Sequence, residues 1–306
     1  MTAGAALVAA CSSPKPGEVA KDGSVTVKHI FGATKIAAPP KRVVSAGFTE
    51  QDDLLAVGVV PIAVTDWFGG EPFGVWPWAQ PKLGGAQPVV LSLADGIQVD
   101  QIASLKPDLI VATNAGLDQD TYTKLTAIAP TIAQSGPDAF FEPWKDQAAA
   151  IGQAVFKADE MATLITAVDE KLNTAGKNNP LFAGKKVLLL GGTFDKGGVR
   201  VTTPGWRTDF LTNMGFTIPD TDGELVPREK IAAVLDSADV LIWSTESDDQ
   251  QAALLANPII AKLRATIANR NIFTGKDLAG AITFATTLSY PMVADQLPPR
   301  IARALA

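Results

Sequence analysis

The chain is poor in the side chains that most often do chemistry. Its 306 residues include one histidine, His29, one cysteine, Cys11, and two tyrosines. That leaves no Ser-His or Cys-His pair and no His-rich metal site. Positive charge is scarce as well: 26 Lys and Arg against 32 Asp and Glu give a net charge of −6 and a pI near 4.9. Such a chain lacks the basic footprint that neutralises phosphates, so nucleic acid is excluded as a partner. No run of 18 apolar residues occurs, the length a membrane-crossing helix needs. Gly191-Gly192-Thr193 follows an apolar run, but no G-x-G-x-x-G or Walker pattern surrounds it. Carboxylates are plentiful, yet spacing singles out no pair for acid/base work.

What the chain does have is repetition. Val99 to Ala112 reads as a short amphipathic helix, a turn with a lone Asp, and an apolar strand. Arg228 to Trp243 reads the same way. A second echo places Asp52 six residues before Gly58 and Asp209 six residues before Gly215, each Gly closing a helix. Continuous apolar runs such as Val187-Leu188-Leu189-Leu190 suit parallel strands covered on both faces. The fold expected is α/β: two Rossmann-like lobes with central, mainly parallel sheets, joined by one long helix, with a ligand cleft between them.

The divisions expected are a signal remnant and tether over 1–25, a first lobe over 26–143, a helical connector over 144–180 and a second lobe over 181–306. In the connector, Trp144, Ala148, Ile151 and Val155 fall out of phase with Met161, Leu164, Val168 and Leu172. This predicts a short helix, a break capped by Asp159, and a long helix. Thr49 is the expected cap of the helix carrying Asp52, and Ser289 of the last helix, which Pro298-Pro299 should disturb. Between Thr65 and Leu83 lies a Gly/Pro-rich loop bearing Trp67, Trp76 and Trp78. Cys11 follows Leu7-Val8-Ala9-Ala10 and precedes a polar Ser/Pro/Lys tether. This resembles the lipobox of a bacterial lipoprotein, making Cys11 the candidate lipidation site and placing the mature protein outside the cytoplasm, anchored to the membrane by lipid alone. The absence of Lys or Arg before the apolar run puts the expected start upstream.

The order Arg42-Val43-Val44, Gly58-Val59-Val60-Pro61, Leu105-Lys106-Pro107-Asp108-Leu109-Ile110 and Ile128-Ala129-Pro130-Thr131 resembles the siderophore- and cobalamin-type substrate-binding proteins of ABC importers. Gly184-Lys185-Lys186-Val187, Asp239-Val240-Leu241-Ile242, Asn257-Pro258 and Leu288-Ser289 continue the likeness. The Trp/Pro-rich loop leans toward the ferric-hydroxamate and ferric-citrate branch, and actinobacterial iron-siderophore lipoproteins are the nearest likeness. The resemblance implies a monomeric binding protein, not an enzyme, with no intrinsic cofactor, that hands an iron chelate to an ABC permease. Haem or cobalamin is the alternative ligand; the lack of His in the lobes weighs against axial haem ligation, while Tyr122 and Tyr290 keep it open. An extracytoplasmic enzyme or a scaffold on the same two lobes is the alternative class.

A chelator fills iron's coordination sphere itself, so the protein needs aromatic walls and a few cations rather than metal ligands. The candidates are Trp67, Trp76 and Trp78 in the loop; Asn114 and Trp243 at strand ends; Arg200, Trp206 and Arg207 in the second lobe; and Tyr290 at a helix start. No Arg stands before the Val99 helix, where the chain reads Leu93-Ala94-Asp95, so a hydroxamate or mixed chelate is expected over a strongly anionic triscatecholate. The family docks one carboxylate per lobe onto permease arginines. The resemblance assigns that role to Asp52 and Asp209, with Glu50 nearby.

Overall fold

The computed structural model describes residues 16–195 and 197–306. Cys11 and the N-terminal apolar stretch lie outside the described residues. The chain enters through a hairpin of β1 (Val25–His29) and β2 (Gly32–Ile36), which the sequence reading left unassigned. Val25 and Val27 alternate inward and join the first lobe's core.

The first lobe's sheet holds β3 (Val43–Ser45), β4 (Ala63–Thr65), β5 (Val89–Leu91), β6 (Leu109–Ala112) and β7 (Thr131–Ala133). All its pairings are parallel, in the order β5-β4-β3-β6-β7. Helices α1 (Glu50–Ala56), α2 (Val99–Ser104) and α3 (Gln119–Thr126) provide crossovers. Leu109 and Val111 of β6 enter one core, Ile110 and Ala112 the other. That is why the strand reads as an unbroken apolar run. Asp108, the lone Asp of the repeated unit, accepts from the backbone N–H groups of Lys41 and Arg42 at 2.8 and 2.7 Å. Its counterpart Asp239 accepts from Lys186 N–H at 2.9 Å. Both fix the start of a central strand against its neighbour.

Two helices follow, α4 (Trp144–Ala154) and α5 (Ala158–Lys177). The cap falls two residues earlier than expected: Phe156 takes a left-handed φ of 62°, Lys157 holds the cap position without a side-chain bond, and Asp159 lies inside the first turn. Helix α5 runs from one core to the other, since Met161 packs in the first lobe while Val168 and Leu172 pack in the second, and α4 begins the same bridge, with Trp144 in the second lobe's core and Ala148 and Ile151 in the first's. The 20 residues of α5 make a rod of about 30 Å.

The second lobe contains β8 (Val187–Asp195), β9 (Gly198–Val201), α6 (Asp209–Asn213), β10 (Leu225–Pro227), α7 (Ile231–Leu235), β11 (Val240–Ser244), α8 (Asp248–Ala256), α9 (Arg264–Ile267), β12 (Asn271–Phe273), α10 (Lys276–Phe284) and α11 (Ser289–Leu305). Its strand order is β10-β9-β8-β11-β12. The β8-β11-β12 part is parallel, whereas β9 and β10 are antiparallel additions. Strict strand-helix alternation therefore fails at β8-β9. Helix α11 continues past Pro298 and Pro299 to Leu305. Burial of Leu297, Pro298 and Ile301 against the core offsets the missing backbone donors.

Helices α1 and α6 end alike. Gly58 and Gly215 take φ of 77° and 96°, and the following N–H returns to Leu54 and Leu211 respectively. A side chain at either Gly would strain the helix exit.

Candidate functional site

The strand ends of the two lobes bring a group of rings together. Phe48 follows β3, Trp67 and Phe68 follow β4, Phe140 and Phe141 follow β7, and Phe284 ends α10. Phe48 stacks on Trp67 at 5.1 Å between centroids and on Phe140 at 5.6 Å. Trp67 reaches Phe141 at 4.8 Å and, across the lobes, Phe284 at 5.7 Å. From the second lobe, the Arg207 guanidinium lies 4.9 Å from the Phe141 ring and 4.7 Å from Trp206. Contact with the rings strips water from Arg207 and lowers its pKa, although the side chain keeps an exposed edge and its charge. Beside this group Trp206, Arg207, Thr202, Ser244, Thr283 and Tyr290 line a cavity of about 90 Å³. The rings otherwise fill one another's space.

A larger hollow, about 780 Å³, lies on the outer flank of the first lobe between residues 16–28 and α4. Its described lining holds no aromatic ring and no arginine. The two-lobe cleft has both.

Backbone carriers of the rings are held by buried polar groups. Glu50 accepts from Gly47 N–H at 2.7 Å, Ser45 Oγ at 3.0 Å and Asn114 N–H at 2.9 Å. Asn114 Oδ1 accepts from Phe141 N–H at 2.9 Å. Glu142 accepts from Ser135 N–H at 2.7 Å and from the Ser135 hydroxyl, and burial raises its pKa. Thr49 holds the N-cap position of α1, as expected, but makes no side-chain capping bond; its hydroxyl accepts from Asn114 Nδ2 at 3.0 Å and exchanges bonds with Gln147. Ser289 is the first residue of α11, and its hydroxyl accepts from Thr286 N–H at 2.9 Å.

Below the rings a polar seam ties α1 to the turn between α10 and α11. Asp52 accepts from Thr286 Oγ1 at 2.7 Å and from Trp78 Nε1 at 2.7 Å. Asp53 accepts from Thr287 Oγ1 at 2.7 Å, Thr287 N–H at 3.2 Å and Gln147 Nε2 at 3.1 Å. Burial drives these acids upward: Glu50 and Asp52 to about 7, Asp53 to about 6. At the rim Glu71 and Lys276 pair across the lobes at 2.6 Å.

Several sequence expectations need correction. Glu50 and Asp52 are 0% exposed, so neither can meet an arginine of another protein. They face inward because α1 is covered on all sides, something its sequence, acidic at 50, 52 and 53, does not reveal. Asp209, its sequence counterpart, is exposed. Trp243 is buried within the second lobe and donates to Asn271 Oδ1 at 3.0 Å; it is core, not cleft wall. Trp76 is buried between the lobes, so close to Gly280 that a Cβ there would overlap the indole. Trp78 stacks on Trp76 at 5.0 Å and is half-buried. Asn114 is buried and acts on backbone. Tyr290 is buried and borders the small cavity. Arg200 is exposed on β9 and is absent from that lining. Trp67, Trp76, Trp78 and Arg207 are the candidates that touch rings of the cluster, and Trp206 joins it through Arg207. Phe48, Phe68, Phe140, Phe141 and Phe284 were missed. Their one signal is position, in loops that follow first-lobe strands or, for Phe284, at the last residue of α10.

The periplasmic binding protein family profile matches residues 43–278. A crystal structure of a periplasmic solute binding protein from Mycobacterium smegmatis is 68% identical, with a TM-score of 0.92, covering 94% of this chain and all of that one. Among curated relatives, the putative ABC transporter substrate-binding lipoprotein YhfQ of Bacillus subtilis is 34% identical over 189 residues, 62% of this chain. The match spans 57% of that relative's length. The probable siderophore-binding lipoprotein YfiY of the same organism is 28% identical over 248 residues, 79% of this chain and 71% of the relative.

Proposed function

The chain belongs to the periplasmic binding protein family, and from that premise we propose that it captures a ferric siderophore or similar iron chelate in the ring-lined cleft and delivers it to an ABC permease. The observation that carries this reading is the placement of Arg207 against Phe141 and Trp206 where rings of both lobes converge. Rings offer stacking and apolar contact to a chelator's periphery, and the guanidinium offers charge-assisted hydrogen bonds to its oxygens. Iron enters already coordinated, so the protein supplies shape and charge rather than ligand atoms. With one arginine against the rings, a chelate of low net charge fits better than a triscatecholate. The kinship with a probable siderophore-binding lipoprotein supports the same class.

Pockets for drug-sized ligands enclose about 300–1,000 Å³, several times the present cavity of about 90 Å³. Capture therefore requires the rings to part, by movement of the 66–79 loop or of the lobes about α5. Lipidation at Cys11 would hold the protein at the outer face of the cell membrane, close to the permease.

Tryptophan fluorescence tests the reading. Titration with ferrichrome, ferrioxamine B, ferric dicitrate, haemin and cobalamin should give saturable quenching with one of the ferric chelates, since Trp67 and Trp206 lie at the ring cluster. Response to haemin or cobalamin alone would transfer the assignment to those ligands, and silence throughout would reject capture.

A further inference from the structure

We propose that Glu50 is a positioning residue of the cleft: without touching ligand, its carboxylate fixes the loops that carry Phe48 and Phe141, so that chelate affinity runs through this one buried side chain. The inference rests on the reading of the cleft as the chelate site. Three segments meet at Glu50 or its direct partner. Gly47, one residue before Phe48, donates its N–H to Oε2 at 2.7 Å. Asn114, beyond β6, donates its N–H to Oε1 at 2.9 Å, and Thr113 Oγ1 approaches the same oxygen at 3.4 Å. Asn114 then passes the restraint on in two ways: its carbonyl accepts from Phe48 N–H at 3.2 Å, and its side chain accepts from Phe141 N–H at 2.9 Å.

Two features separate this from an ordinary acid at a helix start. The backbone donors Glu50 takes belong to Gly47 and Asn114, not to the first turn of α1. The elements it holds are also ones that do not hold themselves. Phe141 has a left-handed φ of 58°, which a bulky residue rarely adopts and which needs an outside restraint. Gly47 is packed so tightly that a Cβ would run into the Glu50 carboxylate and the Asn114 carbonyl. Both carboxylate oxygens accept from backbone N–H groups, so an amide must turn its NH₂ toward one of them. Glu50→Gln is therefore a small change in volume and a large one in bonding.

The test combines near-ultraviolet circular dichroism with a double-mutant cycle. Glu50→Gln should keep the wild-type far-ultraviolet spectrum and a cooperative melt but lose part of the aromatic near-ultraviolet signal of the Phe48-Trp67-Phe141 stack. Its affinity for whichever ferric chelate the wild type binds should fall about tenfold, while in a Phe48→Leu background the same change should cost less than about threefold, because the two act through one contact chain. Wild-type affinity with an unaltered near-ultraviolet spectrum, or equal penalties in both backgrounds, would overturn the proposal. If Glu50→Gln does not fold, Asn114→Ala, cycled against Phe141→Leu, reads the same relay under the same criteria. If the wild type binds none of the chelates, the proposed function fails on its own, and the near-ultraviolet comparison still decides whether Glu50 orders the rings.

Discussion

Arg207 and Trp243 were equal candidates in the sequence and now carry opposite expectations. Arg207→Ala removes a cation stacked on two rings at the cleft, a contact of about 0.5–2 kcal/mol. Chelate affinity should drop by roughly 2- to 30-fold, with little change in melting temperature because the side chain is exposed. Trp243→Phe loses the bond to Asn271 and some buried volume, so it should cost about 1–3 kcal/mol of stability while leaving affinity in place. Fluorescence titration and thermal melts of the two variants check the pair. An affinity loss in Trp243→Phe would return that indole to the cleft.

Helix α1 is short and acidic, and it is buried from Glu50 to Ala56. Its three acids have folded-state pKa values of about 7, 7 and 6, above the unfolded range near 4. The native state therefore binds more protons than the unfolded chain between about pH 4 and 7. By linkage, the stability these groups contribute is fully present below the unfolded pKa and is lost as pH rises through 6 and 7. Melting temperature should climb as pH is lowered from 8 to 5. A profile that falls over that window would mean the seam stays ionised. Opposite α1, Gly280 on α10 leaves room for Trp76, and Gly280→Ala should destabilise by about 1–3 kcal/mol through overpacking between the lobes. Chemical denaturation would measure it, and an unchanged midpoint would show that the indole can shift.

At the scale of the whole molecule the two lobes are linked by α5, by the Thr286-Thr287 seam and by the Glu71-Lys276 rim pair. Ligand entry strains these links together, so opening is expected to be limited to the ring-bearing loops and a small rotation. Asp209 remains exposed on α6 and is the surviving candidate for permease docking. Asp209→Ala should leave chelate affinity unchanged and reduce uptake in cells. Full uptake would remove that role. Cys11→Ala should move the protein from the membrane fraction to the soluble one with affinity intact, as cell fractionation would show.

The sequence by itself determined the two-lobe α/β plan, though not the entry hairpin or the antiparallel β9 and β10. Apolar runs opened by a lone Asp, the Asp-to-Gly spacing of α1 and α6, and the phase slip before Ala158 are local patterns, set by backbone geometry and by burial of strands on both faces. It also limited the chemistry, since one His and one Cys leave little else. Only the tertiary structure decided which side chains face the cleft. Asp52 and Asp209 share a local pattern, yet one lies under Thr286 and Trp78 and the other in solvent. Six tryptophans drew attention, while Phe48, Phe141 and Phe284 completed the ring cluster unnoticed. Exposure at a strand end depends on what the opposite lobe brings within a few ångströms, and residues some 230 positions apart, such as Asp52 and Thr286, carry no local trace of that meeting.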